Sequence, residues 1–393
     1  MKKYKYILFL GLLFLGKAHS QAVIAFVMPP GTTESGVGGA GVSNSTDLNS
    51  LFYNPAILSN LYNTTGNQIH YLLYESGLVP EIEISRLFHR YTAFGFSSRQ
   101  FYDVFNIGVG YYKNYISFGE IPLGNEDGKE RSFYAEEQVE AITLSLRLFD
   151  YIGVGVNLKS TISKFTPEVG LNSNSKLGKI KSQDIGILVS HKYTILNSGL
   201  YVEPLFGVTF INSKDSILYS NKRDSVLHIV ENDSIWSTEL FYDRIAYEKW
   251  MAYTLRVGFL ELFEVSHTFE RKWNLVREYK PHTNHYGFGF KITPFFKYTL
   301  GKLEDKTGER DERNFSLAMI FDINNILILK ERFLNQDFST SYFDLLNKRK
   351  SFNFWGFHFR PNLRFQFSSS VILEGEIDGI RNGQKAYQLS ISL

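Results

Sequence analysis

The chain has 393 residues, a formal net charge of +2, 16% aromatic residues with 34 Phe and 24 Tyr, and no cysteine. A charge so close to neutral leaves no footprint for nucleic acid, and the missing thiols exclude a disulfide framework and thiolate metal centres. The aromatic load exceeds that of an ordinary soluble enzyme, while 21% charged residues are too many for a helical membrane protein.

The N-terminus opens with Lys2, Lys3 and Lys5, continues with the apolar run Ile7 to Leu15, and reaches the small residues Ala18 and Ser20. Basic, apolar and small-residue zones in that order predict a signal peptide over residues 1–20, with the mature chain starting at Gln21. The apolar run is too short to cross a bilayer, and no later stretch reaches the ~20 apolar residues of a membrane helix.

Residues Gly36-Val37-Gly38-Gly39-Ala40-Gly41 have the glycine spacing of a dinucleotide-binding fingerprint. That site needs a strand before the glycines, a helix opening at the last one, and an acid about 20 positions on. Here Pro29-Pro30-Gly31 interrupts the approach, no amphipathic run follows Gly41, Asp47 comes too soon, and the next acid is Glu75. The glycines read instead as a small-residue segment that lets backbone pack closely. Downstream, Asn54-Pro55-Ala56 contains an Asn-Pro turn initiator.

From there to the end the pattern is period two. Ile142, Leu144, Leu146 and Leu148 alternate with Thr143, Ser145 and Arg147; after Phe149-Asp150-Tyr151 the alternation resumes at Ile152, Val154, Val156 and Leu158, as in a tight hairpin. It recurs at Phe105 to Tyr111, Ile185 to Val189, Phe206 to Phe210, Leu255 to Phe259, Tyr286 to Ile292, Phe315 to Ile323, Leu363 to Phe367 and Tyr387 to Leu393. Segment lengths near the ~9 to 11 residues of a tilted membrane strand, Tyr and Phe towards segment ends, and charged polar faces predict an all-β fold, a transmembrane antiparallel barrel of about 14 strands. The polar stretches Ser213 to Asp243 and Leu300 to Asn314 read as long external loops opposite short periplasmic turns.

Other chemistry is thin. His282 and His285 lack a third metal ligand, and His70, His89, His191, His267 and His358 are scattered. No Gly-x-Ser-x-Gly elbow is present, so hydrolase chemistry has no nucleophile motif. The row Glu374, Glu376 and Asp378 reads as a wet lumen face, with Arg364, Arg147 or Lys159 as its cross-lumen partners. Neither catalytic activity nor a cofactor is expected.

Gly38-Gly39-Ala40-Gly41-Val42, the following Ser-rich span with Asp47, and Leu51-Phe52-Tyr53-Asn54-Pro55-Ala56 together resemble the N-terminal region of FadL-like outer-membrane proteins. The PorV/PorQ branch is the more similar: Ser117-Phe118-Gly119-Glu120-Ile121 and the acidic Asn125-Glu126-Asp127-Gly128 also look PorV-like. The chain departs from the outer-membrane pattern in ending at Leu393 and not at Phe. The resemblance implies a plug over residues 21–61, containing Gly36, Gly38, Gly39, Gly41, Asn54, Pro55 and Ala56, inside a barrel over residues 62–393. A PorV-like protein would sit among outer-membrane lipid and accept secreted cargo alongside type IX secretion-system proteins. A FadL-like one would pass long-chain fatty acids or another hydrophobic small-molecule ligand.

Overall fold

The computed structural model describes Ala25 and residues 28–61, 67–77, 87–98, 101, 104–126, 129–167, 175–195, 199–211, 216–230, 233–244, 248–260, 262–275, 282–292, 295–305, 311–322, 352–354, 357–359, 364–372, 376–377, 380–381 and 384–393. The expected signal peptide, residues 1–20, lies outside them.

The alternating segments form fourteen long strands: β1 Gln68–Gly77, β2 Leu87–Ser97, β3 Phe105–Glu126, β4 Lys129–Leu148, β5 Ile152–Pro167, β6 Ser175–Ser190, β7 Leu200–Ile211, β8 Glu248–Phe259, β9 Phe263–Asn274, β10 His282–Ile292, β11 Phe296–Asp305, β12 Asp311–Asp322, β13 Arg364–Ile372 and β14 Gln384–Ser392. Each pairs antiparallel with the next, and β14 returns to β1 with Ser392 opposite His70. The sheet therefore closes, which satisfies every backbone ladder internally, as a hydrocarbon environment demands.

Burial identifies the medium outside. On β4, Ile142 and Leu144 are 54% and 46% exposed while Thr143 and Arg147 are 0% and 8% exposed. The same inversion places Val109, Ile187, Phe288 and Leu317 outside, and Asn114, Asp184, Asn284 and Ser316 inside. A water-soluble barrel would turn the aliphatic face inward. An apolar exterior around a polar interior is the pattern of an outer-membrane barrel.

The connections at one end are short, as at residues 149–151, 260–262 and 293–295, and the chain also terminates at this end with β14. One long connection, residues 323–363 between β12 and β13, departs from the expected asymmetry by joining strands at this same turn end. At the opposite end β3 and β4 are 22 and 20 residues long, about twice what the bilayer requires. Two stretches read from sequence as loops are largely strand. Ser216–Val230 pairs with Asp233–Arg244, and β11 and β12 leave only residues 306–310 between them. Ladder pairing continues there through charged residues that a hydropathy reading treats as loop.

The lumen is not empty. Residues 28–61 run through it as a short helix α1 (Thr32–Gly36), an irregular stretch, a helical turn α2 (Ser50–Tyr53) and a 3-10 turn over Pro55–Asn60. Val42, Leu48, Leu51, Phe52, Tyr53 and Leu58 of this inner segment form one apolar cluster with Tyr91, Tyr112 and Trp250 of the wall. Fourteen strands enclose more space than their own side chains can fill, and the inner segment occupies it.

Candidate functional site

An irregular segment enclosed in a barrel leaves backbone groups that neither helix nor ladder satisfies, and burial makes each of them costly. The wall supplies the partners. Glu270 on β9 accepts hydrogen bonds from the backbone N–H groups of Gly41 and Val42, each at 2.8 Å through Oε2. His285 on β10 engages the carbonyl of Gly38 through Nδ1, and Lys272 donates to the carbonyl of Gly39 at 3.0 Å. Further round, Asn157 donates to Leu51 O at 2.7 Å, Tyr91 to Leu48 O at 2.9 Å and Arg256 to Asn44 O at 3.2 Å. Asn114 donates to Ala25 O at 2.8 Å.

The glycine run thus does present successive N–H groups to an anion, the geometry of a backbone nest. The anion is the wall's own Glu270. Gly38 adopts φ 71°, open to glycine without strain, and a Cβ there would come within 2.6 Å of the Lys302 carbonyl. At Gly41 a Cβ would press into the Tyr53 ring, and at Gly36 into the hydroxyls of Thr299 and Ser316. Gly39 is looser: a Cβ would lie 3.4 Å from His285.

Asn54, Pro55 and Ala56 act as a unit. The Asn54 side chain accepts from Ala56 N at 3.1 Å, capping the 3-10 turn that begins at Pro55. Its amide donates to Val42 O at 2.9 Å within the segment and to Ile187 O at 3.0 Å on β6. The wall opposite is glycine: a Cβ on Gly155 would lie 2.4 Å from the Pro55 carbonyl carbon, and one on Gly186 would overlap Asn54. Wall glycines make the room, and side chains on neighbouring strands make the bonds.

A second polar group ties α1 to the turn before α2. Asn49 donates to Glu34 at 3.1 Å and to Gln388 at 2.9 Å, while Gln388 donates to Asp47 at 2.7 Å. Burial, and then the neighbouring charge of Asp47, pushes the Glu34 carboxyl up to about 8. Burial also raises Asp47 above the usual carboxylate range.

The remaining sequence candidates fall in different places. His285 is buried against Gly38, whereas His282 heads the same strand. His70 bonds Ser392 and Ser97, and His89 bonds Asn114. Among the described residues no group of three His, Cys, Asp or Glu side chains could hold a metal ion. Lys159 and Arg147, expected from the sequence to face a carboxylate row, pair with Asp184 at 2.6 Å and with Asp150 and Ser190 respectively. The side chains of that row, Glu374, Glu376 and Asp378, lie outside the described residues. Glu270, Asn157 and Lys272 were not singled out by sequence reasoning; their only sequence signal is a polar side chain on an inward position of a strand.

Fold and site together define an outer-membrane β-barrel whose lumen is occupied by its own N-terminal segment. No family model and no curated protein matches the sequence. Among solved structures, the chain is similar to the CymD monoaromatic hydrocarbon channel, at 11% identity and TM-score 0.48, over 95% of this chain and 98% of that one. It is similar to the toluene transporter TbuX of Ralstonia pickettii at 9% identity and TM-score 0.48, over 93% and 99% of the two chains. A FadL homologue of Pseudomonas aeruginosa matches at 11% identity and TM-score 0.43, over 93% and 98%. Likeness at this level places the chain in no family, and the fold rests on the strand pairing itself.

Proposed function

We propose that this chain is a transporter of hydrophobic small molecules across the outer membrane, with residues 21–61 as a plug whose displacement opens the path. The observation behind this reading is the lumen itself. A separate segment fills it, held to the wall by individual hydrogen bonds, around an apolar layer of Phe52, Tyr53, Tyr112 and Trp250. An aromatic layer is suited to an apolar solute, and hydrogen bonds between side chain and backbone can be exchanged one at a time. In this role Gly36, Gly38, Gly39 and Gly41 give the plug its close fit, and Asn54, Pro55 and Ala56 anchor it to β5 and β6.

The test uses the absence of native cysteine. A Cβ on Gly186 would lie 3.1 Å from Cγ of Asn54, so Asn54→Cys with Gly186→Cys places two thiols within disulfide reach. Deleting the protein should lower uptake of an aromatic hydrocarbon or a fatty acid. The reduced double variant should restore uptake and the oxidised one should not. Unchanged uptake on deletion would sink the transport reading, and full uptake through the oxidised lock would sink the moving plug.

A second reading follows the PorV/PorQ resemblance: a cargo-accepting or scaffold component of type IX secretion. The long β3–β4 hairpin and the hairpin Ser216–Arg244 support it, because they offer surface at the end opposite the turns. Its expected signature is unprocessed type IX cargo retained in the periplasm of a deletion strain, and normal cargo delivery would exclude it.

A further inference from the structure

At the turn end of the barrel a cavity of about 150 Å³ lies between the inner segment and the wall. One water needs only ~10–15 Å³ on the same measure, so there is room for several waters or a small polyatomic ion. Four cations line it, Arg256, Lys291, Lys297 and Arg364, against two carboxylates, Asp47 and Glu264. Lys291 and Lys297 are direct cross-strand partners on β10 and β11, a like-charge juxtaposition in which Lys291 also stands opposite the Glu264 carboxylate on β9 while Lys297 does not.

The two carboxylates are already engaged. Asp47 accepts from Gln388 and from Asn49 N, and Glu264 accepts from the Tyr201 hydroxyl at 2.9 Å. Arg256 is spent on Glu203 at 3.3 Å and on Asn44. Lys297 differs: it is 6% exposed, and among the described residues it makes neither a hydrogen bond nor an ion pair, only longer-range interactions with titratable groups such as Glu34 and Glu264. An ammonium held away from bulk water without a direct partner is costly, and here it borders a cavity with Gln366, Ser390 and Ser392 as further polar neighbours.

We propose that this cavity is a binding site for a small oxyanion, a carboxylate or a phosphate, with Lys297 as its principal counter-charge. The anion would sit against the Lys297 ammonium and draw hydrogen bonds from the amide and hydroxyl groups around it. A hydrocarbon does not suit this lining, so the site stands apart from the aromatic layer of Phe52, Tyr53, Tyr112 and Trp250.

Titration calorimetry on the full-length protein in detergent micelles, with inorganic phosphate and with acetate at constant ionic strength, tests the site. At least one of the two should bind saturably and raise the thermal midpoint, and which one does identifies the class. Lys297→Met should weaken binding about 30-fold or more, as removal of one partner of a buried charge pair does, and Arg364→Gln should weaken it as well. Lys113→Met, at an exposed ion pair with Glu140, should bind like wild type. Should Lys297→Met lack the heat-modifiable migration of a folded barrel, Arg364→Gln decides alone. No saturable binding of either anion to the wild type, or binding untouched in the folded cavity variants, overturns the proposal.

Discussion

Glu270 Oε2 lies 2.8 Å from the backbone nitrogen of Gly41 and accepts its hydrogen bond, so a glycine that looks suited to a phosphate is committed to a carboxylate of the same chain. Val42 N shares that oxygen, and Lys272 lies 3.3 Å from Oε1. Charge-assisted bonds of this kind contribute about 1.5–3 kcal/mol each. Glu270→Gln should therefore speed hydrogen exchange at Gly41 and Val42 roughly tenfold or more while the β9 ladder keeps its protection. Equal protection in the variant would remove Glu270 from the anchoring of the inner segment.

Lys159 and Asp184 form an ion pair at 2.6 Å with both side chains 2% exposed. Asp184 also accepts from Asn157, which in turn donates to Leu51 O. Removing one member leaves an uncompensated buried charge, at about 3–5 kcal/mol. Asp184→Leu should lose that much in urea unfolding from lipid vesicles, whereas Lys159→Met with Asp184→Leu should recover most of it. A double variant as unstable as the single would show that the cost lies in packing and not in charge.

The Glu34 carboxyl, raised to about 8 by burial and then by Asp47, gives the fold a pH dependence of definite sign. Below its usual value of 4.5 the group is protonated folded or unfolded and contributes no slope. Between 4.5 and about 8 the unfolded chain has released a proton that the folded chain retains, so stability falls as pH rises and levels off above that window. Asp47, raised by burial, acts in the same direction. The urea midpoint should decline from pH 5 to pH 8, and Glu34→Gln should flatten the upper part of the decline. A midpoint that rises over this range would contradict a protonated Glu34.

Leu144 is 46% exposed on the outer face of β4. If lipid covers that face, Leu144→Arg should cost about 2–4 kcal/mol near the bilayer midplane, while Leu144→Phe should be nearly neutral. Both are read from the folded fraction after refolding into vesicles. An arginine tolerated without loss would mean that water, not hydrocarbon, meets this face.

Most of the barrel was legible because its signal is local. Ile142 to Leu148 alternate visibly, and every strand repeats the same choice between two faces. The inner segment was legible only as a small-residue stretch with a turn at Asn54, since a motif reports its own backbone and not its surroundings. That Gly41 meets Glu270, or Asn54 meets Gly186, is decided by pairings more than a hundred residues apart. The hairpin Ser216–Arg244 was missed for another reason. Strand pairing beyond the apolar band requires hydrogen bonds but no hydrophobic face, so the period-two signal that marks the other strands is diluted by charge.

The partners of the inner segment also fix an order of events in biogenesis. The segment leaves the ribosome before any strand, yet the side chains that receive it run from Tyr91 on β2 to Gln388 on β14. Its berth is complete only when β14 has zipped onto β1. A chain truncated before Gln388 would lose the amide that links Asp47, Asn49 and Thr32. Closure of the wall thus also completes the interior, because the last strand carries the amide on which Thr32, Asp47 and Asn49 converge.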